Sequence, residues 1–308
     1  MTRRVAVVDV GTNSTRLLVA DVAPDGSAIG EVVRRSRVTR LGEGVDATGR
    51  LADAAMARVH DVLDEYAALI AQTGAQPAAA VLTSAVRDAA NGETFAAAVR
   101  DRHGLDAREL SGDEEARLAY LGATWNRPRG APTLVVDVGG GSTELVIGEG
   151  GALRFHVSTQ AGVVRQTERH IAHDPPADHE VQALTDDVRR VYATAVPHPM
   201  TYVPQTAIAV AGTATSLAAI ELELEPYDPR RVEGHVLERA TCEMLLARLA
   251  GMTVDERRRL PGLHPDRAPV IVAGAVLLIE ALRLFRLERC EVSEHDLMYG
   301  TALEIAAG

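Results

Sequence analysis

Apolar and polar positions fall into short runs at the start of the chain. Residues 5–10 are apolar except for Asp9, which predicts a strand covered on both faces; residues 15–22 and 29–41 predict two more strands. Met56, Val59, Leu63, Tyr66 and Ile70 then recur at helical spacing, so residues 53–72 read as an amphipathic helix. A strand at 79–83, a helix at 94–101 and a short strand at 107–110 follow. They lead into SGDEEARLAYLGA, where Ser111 and Glu114 have the spacing of a capping box at a helix start. The segment NRPRGAP (126–132) has no apolar period and reads as a linker.

After the linker the same programme restarts. Strands are expected at 133–138, 143–147 and 153–157, and helices at 162–171 and 181–195. A strand at 207–210 enters AGTATSLAAI, a Gly-Thr turn opening a further helix. A buried helix is expected at 268–285 and a last one at 294–306. Strands followed by helices in two halves that begin alike indicate two α/β domains of common design, spanning 1–125 and 126–308, with the helix at about 294–308 packing back on the first. Ligands of such sheets bind at the carboxyl ends of strands, so both halves are expected to face one interdomain cleft.

The restart is also visible residue by residue. Residues 7–19 read VVDVGTNSTRLLV and residues 135–147 read VVDVGGGSTELVI, identical at eight of thirteen positions. Each copy is an apolar run, an Asp, a Gly-rich turn with hydroxyls and a second apolar run, the layout of a phosphate-binding hairpin. In the first loop Gly11 is expected at positive φ, with the N–H groups and hydroxyls of Thr12, Asn13 and Ser14 converging on an anion. Asp9 at the strand end suits a divalent cation. In the second, Gly139, Gly140 and Gly141 let the backbone wrap a phosphate, Ser142 and Thr143 supply hydroxyls, and Asp137 is a second metal-proximal carboxylate. Glu144 stands where the first copy has Arg16; it supports a metal or water, or is a sheet-face residue.

Composition narrows the function. The chain has 308 residues, 46% hydrophobic and 24% charged, an ordinary globular balance. Its net charge of −11 and 3% aromatic content argue against nucleic acid and anionic membranes as partners. All 32 basic residues are arginine, so a Walker lysine loop is impossible, and phosphate must be held by backbone N–H, hydroxyls, Arg and metal. Cys242 and Cys290 form no CxxC pair, and the N-terminal apolar stretch is too short for a signal peptide; both point to a reducing, cytoplasmic setting. Arg34, Arg35, Arg37 and Arg40 either guide a polyanion or form a solvated strand face. His170, His173 and His179 read as a solvated helix end rather than a zinc site.

The set DVGTNSTRLLV, TRLGEG, TSAVRDAAN, SGDEEARLAYLGA, VVDVGGGSTELVIG and AGTATSLAA resembles the exopolyphosphatase/guanosine-pentaphosphate phosphatase family, in its short two-domain form. The resemblance implies an α/β fold of two related actin-like (ribonuclease H-like) domains flanking a cleft. It implies Mg²⁺, with Mn²⁺ as a substitute, and release of orthophosphate from inorganic polyphosphate, with a place in the stringent response. Glu115 matches the family's water-activating carboxylate, Arg87 an arginine near the transferred phosphoryl, and Arg267 a region near the cleft. Hydrolysis of guanosine pentaphosphate and non-hydrolytic sensing of guanosine penta- or tetraphosphate are the alternatives, and a homodimer stays open. An ATP-dependent kinase shares the hairpins but fits SGDEEARLAYLGA less well.

Overall fold

The computed structural model describes residues 2–128, 130–197 and 201–308; Arg129 of the expected linker lies outside them. The chain forms two compact units, Met1–Arg127 with Leu297–Gly308, and Pro128–Asp296.

The first unit is built on a five-stranded sheet of β1 (Arg3–Val10), β2 (Ser14–Val22), β3 (Ile29–Val38), β4 (Ala78–Leu82) and β5 (Asp106–Glu109), in the order β3-β2-β1-β4-β5. β1, β2 and β3 are antiparallel neighbours, while β4 and β5 run parallel to β1. Its helices are α1 (Val45–Thr48), α2 (Asp53–Thr73), α3 (Ser84–Arg87), α4 (Gly92–His103) and α5 (Gly112–Ala123). Side chains alternate across a strand, and here the alternation sorts two cores. Ala6, Val8 and Val10 of β1 pack with Val59 and Leu63 of α2. Val5 and Val7 pack on the other face with Leu118 of α5. Ala55, Val59, Leu63, Tyr66 and Ile70 are the buried stripe of α2, which is why a helical period is readable there.

The second unit repeats this order with an extra edge. Its strands are β6 (Thr133–Val138), β7 (Thr143–Glu149), β8 (Ala152–Thr159), β9 (Thr206–Val210), β10 (Val236–Glu238) and β11 (Arg289–Val292), in the order β10-β11-β9-β6-β7-β8. β6, β7 and β8 are antiparallel neighbours, β9 runs parallel to β6, β11 runs parallel to β9, and β10 is added antiparallel to β11. The helices are α6 (Val163–His170), α7 (Asp178–Ala195), α8 (Ala211–Glu221), α9 (Pro229–Val232), α10 (Arg239–Ala250), α11 (Val254–Arg257) and α12 (Ile271–Leu284). α12 is apolar nearly all round because it is buried along its length. The chain then returns to the first unit as α13 (Leu297–Ala307), where Leu297, Met298 and Ala302 join the Val5 and Val7 core. β10, α10 and β11 have no counterpart among the elements expected from sequence.

Candidate functional site

In the first unit three groups stand at the carboxyl ends of parallel strands. Asp9 is next to last in β1, Arg87 closes α3 just after β4, and Glu115 lies in the first turn of α5 after β5. The start of α5 has the expected cap: Ser111 Oγ accepts from Glu114 N at 3.2 Å, and Glu114 Oε2 accepts from Ser111 N at 2.9 Å. That commits Glu114 to the helix end. Glu115, one step further round, is buried at 7% exposure. Arg87 Nη1 donates to Glu115 Oε2 at 3.1 Å and to the Leu110 carbonyl at 2.9 Å. Burial raises the Glu115 carboxyl to about 7, against the opposing pull of Arg87 and with the Asp9 and Asp88 charges adding to the rise.

Asp9 faces the same side of the sheet as Val5 and Val7, the side covered by α5. It stands directly across the hairpin from Arg16, whose Nε and Nη2 both donate to Asp9 Oδ2, at 2.8 and 2.6 Å. In the sequence Arg16 marks only a difference between the two copies, and the structure makes it Asp9's partner. In the second hairpin the matching cross-strand pair is Asp137 with Glu144, 7% and 1% exposed. Glu144 accepts from Ser158 Oγ at 2.7 Å. The first hairpin thus pairs opposite charges, and the second sets two carboxyl groups opposite each other.

The loops differ from expectation in two ways. Neither Gly11 nor Gly139 is among the described residues with positive φ. Glycine suits a close approach there instead: a Cβ at Gly11 would lie 3.0 Å from the Ser14 carbonyl oxygen, and one at Gly139 would lie 3.0 Å from that of Ser142, both tight contacts. The same two carbonyls accept the Gly11 and Gly139 N–H groups, each at 3.0 Å. Thr143 also departs from its expected role. It is fully buried, and its hydroxyl donates to the Ala161 carbonyl at 2.5 Å, holding the loop from behind rather than facing a ligand. Thr12 is buried, with its hydroxyl 2.9 Å from Ser84 Oγ, while Asn13 and Ser14 are half-buried. Gly139 and Gly140 are half-buried, and Gly141 and Ser142 are buried.

Arg267 is half-buried, and its guanidinium lies over the start of α8: a Cβ at Gly212 would come within 1.2 Å of Arg267 Nη1. The preceding residue, Ala211, has φ 63°, an uncommon conformation for a residue with a Cβ, and it marks the tight strand-to-helix turn after β9. His170 and His173 lie near carboxylates, His170 3.2 Å from Asp187 and His173 2.8 Å from Glu180. Among the described residues, no group of three or more His, Cys, Asp or Glu side chains is arranged to hold a metal ion. The Asp137–Glu144 pair still fits a hard cation. It is a buried all-oxygen set, and Mg²⁺ commonly takes only one or two protein carboxylates, with water and substrate phosphates completing its shell. Asp9 is engaged by Arg16 through Oδ2.

Comparison with known proteins bears on the family and the fold. The sequence profile of the Ppx/GppA phosphatase family matches residues 18–306. A Mycobacterium tuberculosis protein named exopolyphosphatase 2 is 40% identical over 316 aligned positions, covering 98% of each chain. The crystal structure of the Aquifex aeolicus member of the Ppx/GppA family superposes with a TM-score of 0.83 at 33% identity, covering 99% of this chain and 98% of that one. A crystal structure of an exopolyphosphatase-like protein reaches a TM-score of 0.91 at 35% identity, covering 98% of both chains. These structures have the two-domain actin-like fold, and the present chain shares it.

Proposed function

Since the chain belongs to the Ppx/GppA phosphatase family, we propose that it is an exopolyphosphatase, releasing orthophosphate from the end of inorganic polyphosphate. The observation that carries this reading is Glu115, a buried carboxylate raised to about 7 and held by Arg87 at the carboxyl end of a sheet. A base poised near neutrality suits the removal of a proton from water.

In the reaction a water oxygen forms a bond to the terminal phosphorus. Glu115 takes the water proton, the terminal P–O–P anhydride bond breaks, and its electron pair leaves with the shortened chain. Arg87 holds Glu115 in one position and offers positive charge where the transferring phosphoryl gains negative charge. Loop N–H groups bind phosphoryl oxygens without needing a lysine. Asp137 and Glu144 would hold a divalent cation, which supplies charge neutralisation for the phosphate oxygens. Among the described residues no helix is long and apolar enough to cross a membrane, which suits action on a dissolved polyanion.

The test is phosphate release in the presence of Mg²⁺ from tripolyphosphate, long polyphosphate, guanosine pentaphosphate and ATP. Release from the two polyphosphates well above the nucleotides is the expected result. A preference for guanosine pentaphosphate would reassign the substrate, and no release from any of the four would remove the enzymatic reading.

A further inference from the structure

Two segments with no role in the proposed chemistry lie directly behind the two loops. The first is Thr39–Arg40–Leu41–Gly42, part of the TRLGEG motif. Its amides donate to the carbonyls of the first loop: Gly42 N to Thr12 O at 2.8 Å, Thr39 N to Asn13 O at 3.0 Å and Arg40 N to Asn13 O at 2.9 Å. The second is the start of α6. Val163 N donates to Gly139 O at 2.9 Å, Val164 N to Gly140 O at 2.8 Å, and Arg165 Nε to Gly141 O at 3.0 Å. In each unit the carbonyls of consecutive loop peptides are taken up from one side.

A trans peptide is planar, and its N–H points opposite to its C=O. Turning the Thr12 carbonyl toward Gly42 therefore turns the Asn13 N–H the other way. Turning the Gly139 and Gly140 carbonyls toward α6 does the same to the N–H groups of Gly140 and Gly141. Among the described residues none of these three N–H groups has an acceptor. A peptide whose carbonyl accepts a hydrogen bond is polarised into a better N–H donor. The backs of the loops are also packed too tightly for side chains. A Cβ at Gly162 would lie 2.4 Å from the backbone of Gly140 and Gly141, and a Cβ at Gly42 would lie 2.1 Å from Thr12 Cγ2.

We propose that Thr39–Gly42 and Gly162–Arg165 are clamps that aim the loop amides at phosphoryl oxygens, with Gly162, Arg165 and Gly42 as positioning residues. The proposal rests on the polyphosphate reading and deepens it. It makes hydrogen bonds from behind the loops the device that orients the amides expected to bind the anion.

The test uses the full chain labelled with ¹⁵N-glycine and ¹⁵N-serine, titrated with tripolyphosphate without metal, alongside steady-state phosphate release. In the wild type the Gly140, Gly141 and Ser142 amide resonances are expected to move downfield on titration. Arg165→Leu removes the bond to the Gly141 carbonyl, whose peptide carries the Ser142 N–H, so the Ser142 response should shrink and KM should rise about tenfold with kcat changed much less. Arg165→Gln, which can still donate, should recover part of that loss. Gly162→Ala, which forces the loop backbone to move, should weaken the Gly140 and Gly141 responses more strongly. Wild-type kinetics in Arg165→Leu together with Gly162→Ala, or Gly140 and Gly141 amides that ignore tripolyphosphate, would overturn the clamp. Wild-type enzyme that binds tripolyphosphate through those amides but releases no phosphate would instead overturn the proposed activity and leave the clamp standing.

Discussion

Arg87 and Glu115, 28 residues apart in sequence, meet at 3.1 Å, and the same arginine nitrogen is tied to the Leu110 carbonyl just ahead of α5. The arginine is anchored at two points, so it holds the carboxylate in place as well as balancing its charge. Replacing Glu115 with Gln keeps an acceptor for Arg87 but removes the base. Phosphate release from polyphosphate should fall by about 10²–10⁴ with the fold intact, as judged by circular dichroism. Wild-type-like turnover would take Glu115 out of the mechanism.

Arg87→Met removes both the anchor and the opposing charge. We expect kcat to drop by about 10²–10³. The acidic limb of the kcat/KM profile, expected near pH 7 in the wild type, should move upward, because burial and the Asp9 and Asp88 charges then act on Glu115 without the Arg87 counter-charge. A variant with an unmoved limb would separate Arg87 from the titration of Glu115.

The same carboxyl group makes stability depend on pH. Its folded value of about 7 lies above its ordinary value of 4.5, so between these values the folded protein keeps a proton that the unfolded chain has lost. The stability tied to that proton is fully present below about pH 4.5 and is lost as pH rises to about 7. Glu115→Gln abolishes this dependence. Melting temperatures measured across the window should therefore show the variant gaining on the wild type as pH increases, and parallel curves would contradict the raised value.

Metal binding is expected to distinguish the two hairpins. Asp137→Asn and Glu144→Gln should each weaken Mn²⁺ binding, measured by electron paramagnetic resonance without substrate, by about tenfold or more. Asp9→Asn should move it less, because Arg16 already engages Asp9 Oδ2. Equal losses at all three positions would mean that Asp9 is a direct ligand.

α13 lies close against α5, and a Cβ at Gly300 would be 2.0 Å from the Leu118 carbonyl oxygen. Gly300→Ala should destabilise the protein by about 1–3 kcal/mol through overpacking. Chemical denaturation measures it, and an unchanged midpoint would mean that the helices part at little cost.

Local chemistry was readable from the chain alone. The cap at Ser111 and Glu114 spans four residues, and the buried stripe of α2 is a period within one helix. The two hairpins announced themselves by repetition, and their strands are antiparallel neighbours as expected. β10, α10 and β11 gave little signal, since β11 has four residues with alternating burial and α10 buries only Cys242, Leu245 and Leu249. Packing against distant partners makes these elements, and no local pattern records it.

The sequence by itself therefore determined most of the elements, though not β10, α10 or β11, together with the doubled hairpin and the kinds of residue available for phosphate chemistry. Those depend on interactions among residues a few positions apart. Only the tertiary structure decided that Arg16 clasps Asp9, that Arg87 holds Glu115, that Thr143 turns inward, and that α6 takes up the carbonyls of Gly139 and Gly140. Each of these joins side chains or peptides brought together by the fold, and a hydrogen bond depends on where atoms are rather than on their order along the chain.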